Sequence, residues 1–312
     1  MKILITGCAG YIGSMLTTSL VDKYPDAEII GIDNLMFGQQ SIGHLAKHPN
    51  FTFINMDVTS KTFDKVFLRE NHGFDYIFPL AALVGAKLSD INHQVTKAVN
   101  FTHIGQMAGW NPNAHIIYPN TNSGYGVGGE DFCTEESPLN PISEYGKTKC
   151  AAEASLLMRG KSTVFRLATV FGPSYRFRQD LLVNDFTARA VFDKFIVLFE
   201  AGFRRNYIGV EDVINAFMYA MNPSQVPYGV YNLGLSEANL TKMQLCELIQ
   251  THIPDFVLKT DEFAQDPDKR DYIVSNQKIE DTGFTPQVSL TTGIQQLIRF
   301  YGSLPRKQFT NV

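Results

Sequence analysis

The chain begins with a short apolar run, KILIT at residues 2–6, then a stretch of helical period from Tyr11, then a second apolar run at 28–32. Further strand-like runs follow at 51–55, 76–80, 115–119 and 162–167, with helical stretches between most of them. That alternation predicts an α/β fold with a parallel, doubly wound sheet. The helices it predicts most firmly are 11–23, 93–110 and 142–158, the last entered through the turn PLNPIS with Ser143 as its cap. Beyond residue 172 the pattern loosens. Helical stretches at 180–193, 210–221 and 242–252 are separated by loops rich in proline, glycine and charge, and no internal repeat or low-complexity tract appears.

The turn after the first strand is GCAGYIG, with glycines at Gly7, Gly10 and Gly13. A Cβ at Gly7 would block a tight turn, one at Gly10 would hold the backbone off a phosphate, and one at Gly13 would push the helix off the strand. The helix N-terminus around Tyr11 and Ile12 then offers unpaired N–H groups and a positive dipole end to an anion. The second strand leads to Asp33 and Asn34, twenty residues past Gly13. The Asp33 carboxylate suits the adenosine ribose hydroxyls and repels a 2′-phosphate, so the pattern reads as a dinucleotide site for NAD rather than NADP. The expected architecture is a Rossmann-like, NAD-binding domain over 1–171, to which some later segments return, and a smaller C-terminal α/β substrate-binding domain over 172–312.

Bulk properties narrow the possible partners. With 312 residues, 44% of them hydrophobic and 19% charged, the chain suffices for one large or two modest domains. A net charge of −4 and a pI near 6.0, with scattered Lys and Arg, provide no basic field for nucleic acid or an anionic membrane. Anionic ligands must then be met by local arginines. Cys8, Cys133, Cys150 and Cys246 form neither a disulfide framework nor a zinc pattern, and the scattered histidines suggest no metal site. No apolar run reaches the roughly 18 residues of a membrane span, and the first residues already form the nucleotide-binding strand. The expected setting is the reducing cytoplasm. Trp110 and the many phenylalanines read as core.

A second motif carries chemistry. Tyr145 and Lys149 are spaced i, i+4 within a predicted helix and share one face. An ammonium beside a phenol favours the phenolate, which predicts a Tyr145 pKa lowered from about 10 toward neutrality, as a base for a hydroxyl needs. Upstream, at the end of the apolar strand 115–119, stands NTNSGYG, residues 120–126, where α/β proteins bind ligands. Thr121 is placed there to hold a reacting oxygen.

Thr121, Tyr145 and Lys149 together resemble the Ser/Thr, Tyr, Lys set of the short-chain dehydrogenase/reductase superfamily. Nearly the whole chain is similar to its extended branch, the NAD-dependent nucleotide-sugar epimerases and dehydratases. GCAGYIG matches that family's GGAGFIG, Asp57-Val58 its DV pair, and Pro79-Leu80-Ala81-Ala82 its HLAA strand. RLATVFGP (166–173) stands for RxxNVYGP, RRNYIGVEDV (204–213) for RDFIYVDDV, and DPDKRD (266–271) for the DPxKR turn of sugar-nucleotide decarboxylases. The resemblance implies that Asp57 and Val58 bracket the adenine, that Leu80, Ala81, Ala82 and Asn100 line the cofactor, and that Leu167 and Ala168 approach the nicotinamide. It further implies that Asn184, Arg205 and Arg270 face the diphosphate of a nucleotide-diphosphate sugar, and that the protein is a homodimer. Asn122, Ser123, Thr169 and Lys87 fall where substrate is expected.

The shared chemistry is transfer of a proton from the sugar C4 hydroxyl to Tyr145 and of the C4 hydride to NAD+. A 4,6-dehydratase needs an Asp-Glu pair directly after the threonine, and this chain has Asn122 and Ser123 there. A C3/C5 epimerase resembling GDP-mannose 3,5-epimerase wants a cysteine where Ser123 stands, and a decarboxylase wants an acid after Ala82 that is not evident. A 4-epimerase asks for the fewest additional groups and is the expected activity. Dehydratase, decarboxylase and C3/C5 epimerase remain alternatives, as does a non-catalytic NAD-sensing regulator from a different class. Pro79 in place of the usual histidine and Thr169 in place of an asparagine depart from the family pattern.

Overall fold

A computed structural model describes residues 1–67, 72–129, 131–261 and 270–306, the side chains of Ala86 and Lys87 excepted. Twelve strands are seen among them: β1 Lys2–Thr6, β2 Glu28–Asp33, β3 Phe51–Asn55, β4 Tyr76–Pro79, β5 His115–Thr121, β6 Ser162–Leu167, β7 Thr169–Phe171, β8 Phe195–Phe199, β9 Arg204–Gly209, β10 Gly229–Leu233, β11 Asn239–Thr241 and β12 Val257–Asp261. Seven build the main sheet, all parallel, in the order β10-β6-β5-β4-β1-β2-β3. Because each parallel strand is covered on both faces, its residues sort by parity. Ile3, Ile5, Phe78, Ile117 and Phe165 pack with Leu16 and Leu20 of the helix Tyr11–Lys23 and with Val213 and Phe217 of the helix Val210–Tyr219. Leu4, Ile77, Ile116 and Val164 pack the other way, against Ile104, Met107, Ala152 and Leu156.

Two later segments serve this sheet. β10 pairs in parallel with β6 from Gly229 opposite Thr163 to Leu233 opposite Leu167, and the helix Val210–Tyr219 covers one face. The remainder forms a three-stranded sheet, β11-β9-β7, and a parallel pair, β12-β8. β7 and β11 are three residues long and β9 and β12 carry charged positions, so these do not stand out in the sequence, whereas β8, FIVLF, is a legible apolar run. Their core is separate: Phe171, Val183, Phe186, Tyr207, Leu245, Ile249, Ile294, Leu297 and Tyr301 are buried together.

The helix expected over 93–110 is divided. An α-helical turn, His93–Lys97, runs into a π-helical segment, Ala98–Thr102, before α-helix resumes at His103–Trp110. The π segment holds Asn100 inward, where it grips the loop after β4. The helix expected from 142 begins at Glu144, with the Ser143 hydroxyl accepting from the Gly146 N–H at 3.2 Å. Trp110, read as core, is instead 47% exposed, because it ends its helix at the surface.

Candidate active site

The carboxyl ends of β1, β2, β4, β5 and β6 open into one cleft of about 1030 Å³. Its floor at one end is the glycine turn. Gly7 has φ +74°, and a Cβ there would lie 2.6 Å from the Ala81 nitrogen; a Cβ on Gly13 would lie 2.0 Å from the Gly7 carbonyl oxygen. Both glycines are therefore required by the protein's own packing. Gly10 differs: a Cβ would meet only the Gly7 oxygen at 3.2 Å. With Gly10 as its extended N-cap and no side chain capping it, the helix Tyr11–Lys23 directs its first N–H groups into the cleft. That bare end fits a pyrophosphate.

Asp33 lies beside it, almost buried, accepting from the N–H groups of Ala9 at 3.0 Å and Leu35 at 2.8 Å and from the Gln39 amide at 3.2 Å. Burial raises its pKa, with the bonds from Leu35 and Ala9 and the charge of Arg176 acting against that rise. Asn34 donates to Asp57 at 2.9 Å, and Thr59 donates to Asp57 from its N–H and its hydroxyl. These bonds hold the Asp57 carboxyl below its ordinary range despite the cost of partial burial. Val58, Leu80, Ala81, Ala82, Leu167, Ala168 and Thr169 line the cleft as well.

At the other end of the cleft, around the carboxyl end of β5, Thr121, Ser123, Tyr145 and Lys149 share its wall. The hydroxyls of Thr121 and Ser123 are 2.9 Å apart, and the Arg270 guanidinium donates to Ser123 Oγ. The expectation of a lowered Tyr145 pKa needs correction. Burial pushes the phenol up to about 12, with Arg178 and Arg270 the cations that pull against it. Lys149 has the same difficulty: burial pushes its ammonium down to about 7, and its Nζ sits 4.0 Å from the centroid of the Tyr118 ring. Desolvation exceeds the mutual help the i, i+4 spacing suggested.

Behind this wall lies a buried polar network. Glu153 and Arg166 form a two-pronged ion pair at 2.6 and 3.1 Å, Asn120 donates to Glu153, and Arg166 donates to the Tyr125 hydroxyl at 3.0 Å. Tyr125 in turn donates to Asn232 Oδ1 at 2.6 Å, tying β5 and its following turn to the last strand of the main sheet. These bonds fix the turn that carries Thr121 and Ser123, although the Asn120 side-chain oxygen is buried without a partner.

Arg205 and Arg270 line the cleft on the side of the smaller sheets, Arg205 lying over the Tyr272 ring at 5.6 Å. Three expected site residues do not line it. Asn184 is fully buried, accepting from the Gly172 N–H at 3.0 Å and donating to the Arg178 carbonyl at 2.8 Å. Asn100 bonds both backbone groups of Leu83, at 2.8 and 3.0 Å, and Asn122 is buried beneath the turn. Asn184 and Asn100 thus shape backbone, whereas both amide atoms of Asn122 are buried without a hydrogen-bond partner. The Lys87 side chain and residues 266–269 of the DPDKRD segment lie outside the described residues. Arg176, Arg178 and Lys242 line the cleft and were not singled out in the sequence. RFRQD after the Gly172-Pro173 turn was a legible signal for the first two, whereas Lys242 is marked only by the capping box of Thr241 and Gln244 beside it. Among the described residues no group of three potential metal ligands occurs, and no helix is long and apolar enough to cross a membrane.

Known proteins supply the remaining finding. The chain is 28% identical to mouse dTDP-D-glucose 4,6-dehydratase, over 99% of this chain and 90% of the relative. Its fold superposes on a UDP-glucose 4-epimerase from Thermotoga maritima with a TM-score of 0.82 at 24% identity, covering 97% of this chain and 99% of that one. It also superposes on a dTDP-glucose 4,6-dehydratase from Bacillus anthracis solved with NAD, with a TM-score of 0.79 at 22% identity over 97% and 96% of the two chains. The model of the NAD-dependent epimerase/dehydratase family matches residues 3–234, and the chain, an enzyme that uses NAD, belongs to that family.

Proposed function

We propose that this enzyme is a nucleotide-sugar 4-epimerase, with Thr121, Tyr145 and Lys149 as its catalytic residues. The observation that carries the reading is what stands beside them. Ser123 follows Thr121 by two positions, is bonded to Thr121 and Arg270, and neither it nor Asn122 is a competent acid near neutral pH. The acids lining the cleft among the described residues are elsewhere. Asp33 and Asp57 belong to the adenosine end, Asp180 pairs with Arg178, and Asp185 pairs with Arg189 at 2.9 Å. With no acid placed beside Thr121 and Tyr145 among the described residues to protonate a departing C6 hydroxyl, oxidation at C4 followed by its reversal is the chemistry this wall favours.

Bound NAD+ supplies a hydride acceptor at C4 that later gives the hydride back. Tyr145 accepts the C4 hydroxyl proton and returns it after the sugar has presented its other face. Thr121 holds the same oxygen by a hydrogen bond. Arg178 and Arg270 lower the energy of the Tyr145 phenolate, and Lys149, when charged, and the positive charge of bound NAD+ would act in the same direction. Arg205 and Arg270 hold the substrate diphosphate, for which a guanidinium fork is suited. The hydride and the proton both return, so no external reductant is consumed.

We further infer a cytoplasmic homodimer. All four cysteines are free, which suits a reducing compartment. Leu157, Met158 and Trp110 are exposed near one another, where Arg159 donates to the carbonyls of Ala108 and Asn111, and such an apolar patch suits a second copy.

A 4,6-dehydratase is the second reading, favoured by the 28% identity to the mouse enzyme. Incubation with a panel of nucleotide sugars in D2O, followed by NMR and mass spectrometry, separates the two. A C4-inverted isomer without solvent deuterium is expected; loss of water would establish the dehydratase, and deuterium at C3 or C5 would establish epimerisation there.

A further inference from the structure

The segment between β7 and the helix Leu182–Phe192 is fastened across the start of the helix Tyr11–Lys23. The Tyr11 hydroxyl donates to the Gly172 carbonyl at 2.7 Å, the Ser174 hydroxyl donates to the Tyr11 carbonyl at 2.6 Å, and the Ser14 and Ser174 hydroxyls are 3.3 Å apart. The rings of Tyr175 and His44 approach within 4.6 Å. Two residues past Ser174, Arg176 lines the cleft between this anchor and the loop after β2. Its guanidinium lies 4.8 Å from the centroid of the Phe37 ring, and the residue is 9% exposed.

Among the described residues no carboxylate forms a direct ion pair with Arg176, although Asp180 and Asp33 both favour its charge. Arg178, also nearly buried, is ion-paired with Asp180. Arg176 instead faces an aromatic ring, the Phe177 carbonyl at 3.4 Å and, at longer range, two carboxylates with other partners: Asp180, paired with Arg178, and Asp33, bonded by Ala9, Leu35 and Gln39. Burial and the neighbouring Arg178 both work against the Arg176 charge. A buried cation beside a second cation is favourable only with an anion between or beside them. The helix end at Gly10, which no side chain caps, lines the same cleft, and the segment is tied to it through Ser174 and Tyr11.

We propose that Arg176 is a cofactor-retaining residue, its guanidinium binding the NAD pyrophosphate together with the N–H groups that follow Gly10. Phe37 holds the planar fork in place. The assignment rests on NAD as cofactor and is independent of whether the sugar is epimerised or dehydrated. It also suits an enzyme whose cofactor is restored in every cycle and has no need to leave.

Titration calorimetry of the full chain with NAD+, NADP+, UDP and GDP, comparing wild type with Arg176→Met and Arg176→Lys, tests it. Methionine keeps the packing against Phe37 and removes the charge; lysine keeps the charge and loses the fork. The expected result is NAD+ affinity weakened about tenfold or more in Arg176→Met and about threefold in Arg176→Lys, with UDP and GDP unchanged. NAD+ binding within about twofold of wild type in both variants would overturn the proposal. So would a loss confined to UDP or GDP, which would give the arginine to the substrate diphosphate, or one confined to NADP+, which would give it to a ribose 2′-phosphate. Should Arg176→Met melt early without cofactor, Arg176→Lys alone decides by the same criterion.

Discussion

The two ends of the cleft are built differently. The adenosine end comes from consecutive residues: one strand, one turn and one helix start place Gly7, Gly10, Tyr11, Ile12 and Gly13, and the next strand delivers Asp33. The end we assign to substrate gathers Thr121 from β5, Tyr145 and Lys149 from the helix Glu144–Arg159, Arg205 from β9, and Arg270 from beyond β12. At the first end backbone contact decides the outcome, and at the second, buried charge does. A site of the first kind fails through sterics, whereas one of the second kind fails through electrostatics and pH.

The sharpest way to break the first end is Gly13→Ala. A methyl group 2.0 Å from the Gly7 oxygen cannot be accommodated without moving the turn, so stability should fall by about 3 kcal/mol or more and NAD binding should be lost. Gly10→Ala, with its contact at 3.2 Å, should leave folding nearly intact by thermal melting while weakening NAD. Equal damage from both would erase the distinction between packing and ligand approach.

At the second end Tyr145→Phe should lower turnover by about 10³-fold with NAD+ affinity within about twofold, since only the proton-transferring group is removed. Lys149→Met probes the charge directly. The lysine's folded pKa near 7 lies below its unfolded value, so between those limits the unfolded chain binds more protons and stability rises with pH. The burial cost is thus fully present below about pH 7 and declines above it. Lys149→Met should abolish turnover, yet raise stability by on the order of 3 kcal/mol at neutral pH and flatten the alkaline rise in urea titrations. The smallest effect is expected from Arg270→Gln, a roughly tenfold loss in nucleoside-diphosphate affinity with NAD+ binding unchanged.

The same contrast explains what could be read in advance. The glycine turn, Asp33, and the pairing of Tyr145 with Lys149 are local patterns, and the helix Tyr11–Lys23 and the main-sheet strands carry strong periods. The burial of Asn184, expected at the diphosphate, is not legible because its partners, Gly172 and the Arg178 carbonyl, are set by a loop whose path has no period. Arg176 stands in the legible RFRQD run, but its ring partner Phe37 is remote in sequence. The Tyr145 pKa was misjudged in sign because spacing reveals a neighbour's charge and says nothing of how much water both groups lose. Family membership was legible because its motifs span both kinds of site.

The central claim is that C4 is oxidised and restored on one bound cofactor. Turnover of a nucleotide sugar deuterated at C4, followed by NMR, tests it most directly. The account predicts a C4-inverted product that keeps its deuterium at C4, with no reduced cofactor accumulating. A product that has lost water with the label moved to C6, or a 4-keto sugar formed in step with reduced cofactor, would contradict it.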